Sequence, residues 1–321
     1  MGGVRRLLPA LVLTLASSAS ATLLPGLRHE YQRLNNCGPV TALMTLSLHG
    51  TTVTQAAAAD ALRSSKLDRN VTIAEMAAYL GRHGLRTAHR LGGDAGTLRR
   101  LIAAGVPVVL HQQMKLTDDI GHYRVAYGFT ESTITSGDSF LGPSIRHADA
   151  DLAALWKPYA GEYVVAYRPA QEAAVQRALG EDWSRRANLQ RVASAMTERV
   201  KAAPKDALAW SALGRAQLEL GAPKNAARSF LTAHELGLPG KHYWYQDDAL
   251  RAWNRVGWYD VTRRVAQRAL PAYPMSAEIG LSYARALKAL GQAAAARKAY
   301  AAVLVEDPGN AEALAGARSG A

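Results

Sequence analysis

The sequence predicts an α+β domain followed by an all-α solenoid of helical repeats. Two observations carry this. Residues 27–169 begin with helical periodicities and continue with short runs rich in Val, Tyr and Ile, the order of an α+β fold. From about Gln171 the strand-like runs vanish, alanine rises, and a period near 34 residues sets in. The 321 residues leave ample length for two domains.

Arg5 and Arg6 precede the apolar run Leu7 to Ala16, and Ala19-Ser20-Ala21 has a small-x-small form. Residues 1–21 are therefore expected to be a secretion signal, placing the mature protein outside the cytoplasm: periplasm, cell envelope or secreted. The apolar run falls well short of the roughly 20 residues that cross a bilayer, so no integral membrane segment is expected. The first domain then spans 22–170. Its helices are expected at Pro39–His49, Thr54–Leu62, Thr72–His83 and Thr97–Ala104. Its strands are expected at Val106–Leu110, His122–Phe129, Ser132–Ile134 and Glu162–Tyr167.

In residues 171–321, Gly221, Gly257 and Gly291 recur as turn markers between paired helices, and Pro204, Pro274 and Pro308 close the pairs. Trp210, Leu213, Gly214, Ala226, Phe230 and Ala233 form the clearest unit. A second covers His242–Pro274 with two extra residues in its first helix, a third covers Ser276–Pro308, and Asn310 to Arg318 reads as a closing helix. Residues 171–203 fit a degenerate first unit. The pattern resembles tetratricopeptide repeats, whose units bury their apolar faces only against neighbours. A cut near residues 168–175 is expected to separate the two halves. Tyr243, Trp244, Tyr245, Trp253, Trp258 and Tyr259 exceed what one helical core needs. With Arg251, Arg255, Arg263 and Arg264 alongside, part of this surface is expected to bind an extended or acidic peptide.

The net charge of +12 divides into +2 from Arg5 and Arg6, +3 over 22–170 and +7 over 171–321, with basic residues scattered among acids. No basic run or nucleic-acid module accompanies it, so nucleic acid is not an expected partner. The histidines show no ligand spacing; no metal and no organic cofactor is expected.

Cys37 is the only cysteine, which excludes an intramolecular disulfide and a cysteine-based metal site. It precedes Gly38-Pro39 and a helical run from Val40. That puts it at a helix start, where free N–H groups and the helix dipole favour a thiolate. Gly38 is expected to leave space for a substrate beside the sulfur. A thiol nucleophile needs a base, a group to orient the base, and donors for an oxyanion. His122 opens a strand. A two-strand ribbon returns Asp138 to the same end, where its carboxylate could hold the imidazole. Gln32 lies five residues before Cys37, placed to face an oxyanion together with the Cys37 N–H. His111, at the end of Val108-Val109-Leu110, is the alternative base. Asp118 and Asp119 read as solvated.

The ordered stretches Gln32…Asn36-Cys37-Gly38-Pro39, Leu101 to Val109, Gly121-His122-Tyr123 and Asp138 to Gly142 resemble the bacterial C39-type branch of papain-like cysteine peptidases. The resemblance implies a papain-like α+β peptidase domain. It implies Cys37 as nucleophile, His122 as general base, Asp138 as its orienter and Gln32 as oxyanion donor. Two departures stand out. The Gln32 to Cys37 gap is about one residue shorter than usual, and Asp138-Ser139 replaces the usual Asp-Pro. The chain lacks the membrane domain and phosphate-binding loop of the family's exporters, so export-coupled trimming is not expected. The function implied is peptide-bond cleavage outside the cytoplasm, with repeats recruiting a substrate or protein partner. The alternative is a non-catalytic peptide-binding scaffold of the cell envelope.

Overall fold

The computed structural model describes residues 21–68, 70–272 and 276–318; all but the last residue of the expected secretion signal at 1–21, and Pro274, lie outside them. The N-terminal region comprises β1 (Thr22–Leu23), α1 (Cys37–Leu48), α2 (Gln55–Leu62), α3 (Ile73–Arg82), β2 (Arg86–Arg90) and α4 (Ala95–Ala103). It continues through β3 (Val108–Gln113), β4 (Gly121–Phe129), β5 (Thr133–Asp138), β6 (Gly142–Ala148), α5 (Asp149–Trp156), β7 (Tyr163–Tyr167) and α6 (Glu172–Leu179). Three helix starts are set by side-chain acceptors. Thr54 takes the Ala57 N–H, Thr72 forms a capping box with Glu75, and Asp94 takes the Thr97 N–H. Each satisfies a donor that the helix itself leaves unpaired.

The sheet is antiparallel, in the order β2-β7-β3-β4-β5-β6, with β1 added to β4. Alternation along the strands gives it two apolar faces. Val108, Leu110, Ala126 and Val165 pack with Leu98, Leu101 and Ile102 of α4. Val109, Tyr123, Val164 and Ala166 pack with Ala42, Leu46, Met76 and Leu80 of α1 and α3. The expected strands and helices are present, with β5 running on to Asp138. β2 and β6 were not anticipated because both are edge strands. Arg86-Thr87-Ala88-His89-Arg90 and Gly142–Ala148 keep polar side chains at the rim and so lack an apolar pattern.

The C-terminal region comprises α7 (Arg185–Ala202), α8 (Ala207–Glu219), α9 (Pro223–Glu235), α10 (His242–Tyr245), α11 (Asp248–Arg255), α12 (Tyr259–Ala269), α13 (Ala277–Ala289), α14 (Ala293–Glu306) and α15 (Ala311–Arg318). Gly221, Gly257 and Gly291 have φ of +80°, +80° and +74°, a conformation glycine reaches without cost, and each turns one helix into its partner. The irregular second unit is explained by a break: its first helix is split into α10 and α11. Ring-on-glycine contacts close the units, with Phe230 against Gly214 and Tyr300 against Gly316.

The two regions share a polar seam. Arg215 of α8 donates to Glu162, which also accepts from His89 Nε2 and His111 Nδ1, both at 2.7 Å. Asn188 of α7 exchanges hydrogen bonds with the Leu91 backbone at 3.1 and 2.9 Å. Ser65 donates to the Glu306 carbonyl, tying the α2–α3 loop to α14. Val175, Ala178 and Leu179 of α6 belong to the α4-side core, as does half-buried Trp183. The change in packing thus comes later than the change in sequence texture at 171. Release of an independent first half by a cut near 168–175 does not fit this packing, because the cut removes α6 from its core and Arg215 from Glu162.

The aromatic cluster is also mostly internal. Trp253 is wholly buried, its Nε1–H donating to the Ala227 carbonyl at 3.0 Å, and Tyr243 is buried beside it. The Trp244 ring packs on the repeat core, and the Tyr245 ring lies against Gly121, Tyr159 and His111 of the first domain rather than on a free peptide-binding surface.

Candidate active site

The segment before α1 is clamped from α2. The Gln55 Oε1 accepts from the Arg33 N–H at 2.7 Å and the Asn36 Nδ2 at 3.1 Å, while its Nε2 donates to the Tyr31 carbonyl at 3.1 Å. Asn35 sits at φ +59°, in the left-handed region that asparagine tolerates better than most side chains. Cys37 follows as the first residue of α1, half-buried, with Asn36 at the cap and Pro39 in the first turn. Gly38 does not leave space for a substrate, as its sequence context suggested. A Cβ there would lie 2.9 Å from Val71 Cβ, so the missing side chain lets α1 pack against Val71.

His122 enters from β4 and Asp138 from β5. The register pairs Arg124 with Asp138, which brings Asp138 within reach of the residue two positions earlier. His122 Nε2 meets Asp138 Oδ1 at 3.0 Å. The same oxygen accepts the backbone N–H of Phe140 at 2.7 Å and of Leu141 at 2.9 Å. Arg124, with no exposed surface, donates its Nε–H to Asp138 Oδ2 at 2.5 Å and its other nitrogens to the Gln113 and Met114 carbonyls. Burial would raise the Asp138 pKa. The His122 hydrogen bond and charge, with Arg124 and the Leu141 N–H, overcome this and hold the carboxyl well below its ordinary range. Burial works against a charged His122 as well. Hydrogen bonds to Asp138 and to the Cys37 thiol, and the charges of both, outweigh it and raise the imidazole pKa.

Gln32 meets Ser139. The Ser139 hydroxyl donates to Gln32 Oε1 at 2.6 Å, and the Gln32 N–H donates to the Ser139 carbonyl at 2.8 Å. With Oε1 taken, the donating end of the amide is the one left for a ligand. Ser139 thereby orients Gln32.

The structure thus brings Cys37, His122 and Asp138 together and ties Gln32 to the residue beside Asp138. His111 is engaged elsewhere. Its Nδ1 is held by Glu162, its ring lies 4.6 Å from that of Tyr123 and 4.0 Å from that of Tyr159, and burial lowers its pKa. Asp119 is not merely solvated, since it pairs with Lys241 at 2.9 Å. Sequence reasoning missed Arg124 and Ser139. The available signal for Arg124 was its place two residues after His122 on one strand, where alternation returns it to the same face.

Residues 24–163 match the model of the Peptidase_C39 like family. They form a C39-like domain. The chain is similar to the peptidase domain of Streptococcus ComA, a bi-functional ABC transporter, at 17% identity over 44% of this chain and 98% of that one, TM-score 0.38. It is similar to a double glycine motif protease from an AMS/PCAT transporter, solved with a leader peptide, at 13% identity over 44% and 91%, TM-score 0.35. It is also similar to YrrB, a TPR protein with an unusual peptide-binding site, at 21% identity, TM-score 0.37. That match covers 40% of this chain and 66% of YrrB, just under two thirds. No curated protein matches the chain. Among the described residues, no helix is long and apolar enough to cross a membrane, and no cluster of His, Cys, Asp or Glu could hold a metal ion.

Proposed function

We propose that this protein is a thiol peptidase in which Cys37 is the nucleophile, His122 the acid–base and Asp138 the group that orients and charges His122. The observation that carries the reading is the convergence of the one cysteine, at a helix N-terminus, with a histidine whose raised pKa comes from the thiol and a buried carboxylate. With Nε2 committed to Asp138, the Nδ1 side of His122 is the one that serves Cys37. The thiolate attacks the peptide carbonyl carbon, and the oxygen that takes up the negative charge is received by the Gln32 amide and the Cys37 N–H. His122 then gives its proton to the leaving amine, and a thioester remains. Water, losing a proton to His122, attacks the thioester, releases the acid and restores the thiol.

The proposal extends to place and partners. The protein acts outside the cytoplasm, in keeping with the signal-like residues 1–21; Thr22, the next residue, pairs with Phe129 in the sheet. The repeats receive a protein partner or substrate at the basic hollow of about 430 Å³ between Arg251, Arg255 and Arg285.

The test uses residues 22–321 of the chain. Iodoacetamide should modify Cys37 faster than free cysteine at pH 6, His122→Ala should abolish the advantage, and Cys37→Ala should end cleavage of a peptide mixture followed by mass spectrometry. An ordinary alkylation rate, indifferent to His122, would remove Cys37 from the nucleophile role. Cleavage surviving in Cys37→Ala would do the same. Reactive Cys37 without any cleavage would leave the scaffold reading in its place.

A further inference from the structure

We infer that the repeat segment 241–247, through Trp244 and Tyr245, closes one end of the active-site cleft and restricts the enzyme to substrates whose chain ends beside the scissile bond. The inference rests on Cys37 being the nucleophile.

The segment touches both walls next to the catalytic pair. On the nucleophile side, Gly38 adjoins Cys37 and packs against Val71, and the neighbouring Asn70 donates its Nδ2–H to the Trp244 carbonyl at 3.1 Å. On the base side, Gly121 adjoins His122. A Cβ at Gly121 would stand 2.8 Å from the Tyr245 ring and 2.6 Å from the Tyr159 hydroxyl. The Tyr245 ring therefore lies directly on the backbone that carries the base. The Trp244 and Tyr245 rings are 5.1 Å apart and tilted by 31°, and the Trp244 ring packs on the repeat core, so the segment joins the walls through the Trp244 carbonyl on one side and the Tyr245 ring, backed by Trp244, on the other.

The bridge is fixed rather than hinged. Lys241 Nζ pairs with Asp119 at 2.9 Å, Gln246 Nε2 donates to the Pro158 carbonyl at 2.8 Å, and His242 Nε2 meets the Ser211 hydroxyl at 3.0 Å. Tyr245 also packs 6.2 Å from Tyr159 and 6.5 Å from His111, ring to ring. An extended substrate chain running past both Cys37 and His122 would meet this bridge. A chain that stops at it would not. The repeats thus contribute directly to substrate selection, beyond holding a partner at a distance.

The test exploits the single thiol. A bromoacetyl group is placed on the N-terminus of a short peptide, and in a second reagent on a central diaminopropionate side chain, so that peptide extends both ways. Wild-type Cys37 should prefer the first reagent by about tenfold or more, the lower end of what the fit of one pocket discriminates. Tyr245→Ala should bring the ratio toward one, and Tyr245→Phe should keep it. If Tyr245→Ala loses its helical circular dichroism, Tyr245→Leu retains apolar bulk at the seam and is expected to give the same collapse of preference. Equal rates in the wild type, or a ratio that no Tyr245 variant moves, would overturn the inference. A Cys37 no faster than free cysteine with either reagent would instead overturn the nucleophile assignment.

Discussion

Removing Arg215 should unfold the C39-like domain, although Arg215 lies in the repeats. Glu162 has a side chain only 1% exposed and is surrounded by three donors, of which Arg215 alone is permanently charged. Burial would raise its pKa, but Arg215 first, then His111 and His89, hold it well below the ordinary range. Arg215→Met leaves a buried carboxylate without its permanently charged partner. Breaking a buried pair from one side costs about 3–5 kcal/mol. The double variant Glu162→Gln with Arg215→Met should recover part of that loss, since no lone charge remains. Urea unfolding followed by tryptophan fluorescence reports both regions, and protection of the one thiol from a disulfide reagent reports the first alone. Both midpoints should fall together in Arg215→Met. The wild type should lose stability as pH drops below about 4.5, because a carboxylate with a lowered folded pKa stabilises only above its unfolded value. Glu162→Gln should blunt that acid loss. A change under about 1 kcal/mol, the scale of a surface ion pair, or an unmoved thiol midpoint, would refute the reasoning.

Three other outcomes are expected. Asp138→Asn removes the partner that raises His122, so the alkaline limb of kcat/KM, above 6.5 in the wild type, should move to lower pH; the variant should also lose stability because Arg124 is left buried without its anion. An unshifted limb would detach Asp138 from His122 function. Gln32→Ala should lower kcat by about 10²–10³, the usual cost of one oxyanion donor, and Ser139→Ala by less; steady-state rates with KM near wild type would check both. Glu278, its Oε2 buried without a partner among the described residues, is pushed up to about 8, chiefly by burial, with the charges of Asp247, Glu306 and Glu75 adding to it. A carboxyl with a raised folded pKa costs nothing below its unfolded value and destabilises increasingly as pH climbs through about 8. Glu278→Gln should therefore raise Tm at pH 8 and leave it unchanged at pH 4, and equal effects at both would contradict the assignment.

Much of this was legible in the sequence. Cys37, His122, Asp138 and Gln32 could be read because each is set by short-range patterns: a proline after the thiol, a strand opening at the base, a ribbon of fixed length. The repeat turns could be read because glycine alone fits their positive φ cheaply. What remained hidden depends on contacts between distant segments. β2 and β6 carry rim residues whose strand character comes from pairing rather than composition. Arg124 looked like one more scattered cation until its register placed it opposite Asp138. Gly38 suggested an opening, and only the arrival of Val71 shows that it serves packing. Trp244 and Tyr245 suggested a docking surface for another molecule, but Trp244 packs on the repeats' own core and Tyr245 is met by the chain's own first domain.

The seam also sets an order of assembly. Cys37, His122 and Asp138 all lie in the first half of the chain, yet the partner of Glu162 is 53 residues beyond it, that of Asn70 is 174 beyond, and that of Ser65 is 241 beyond. Loops of that size close late and slowly. A chain emerging N-terminus first therefore presents its thiol-bearing segments before the guanidinium that neutralises Glu162 has arrived, and long before α14 reaches the α2–α3 loop, so the first region settles only once the repeats follow. Assembly is deferred to the last helices: a product truncated anywhere before them retains Cys37, His122 and Asp138 in sequence but lacks the contacts that steady the region holding them.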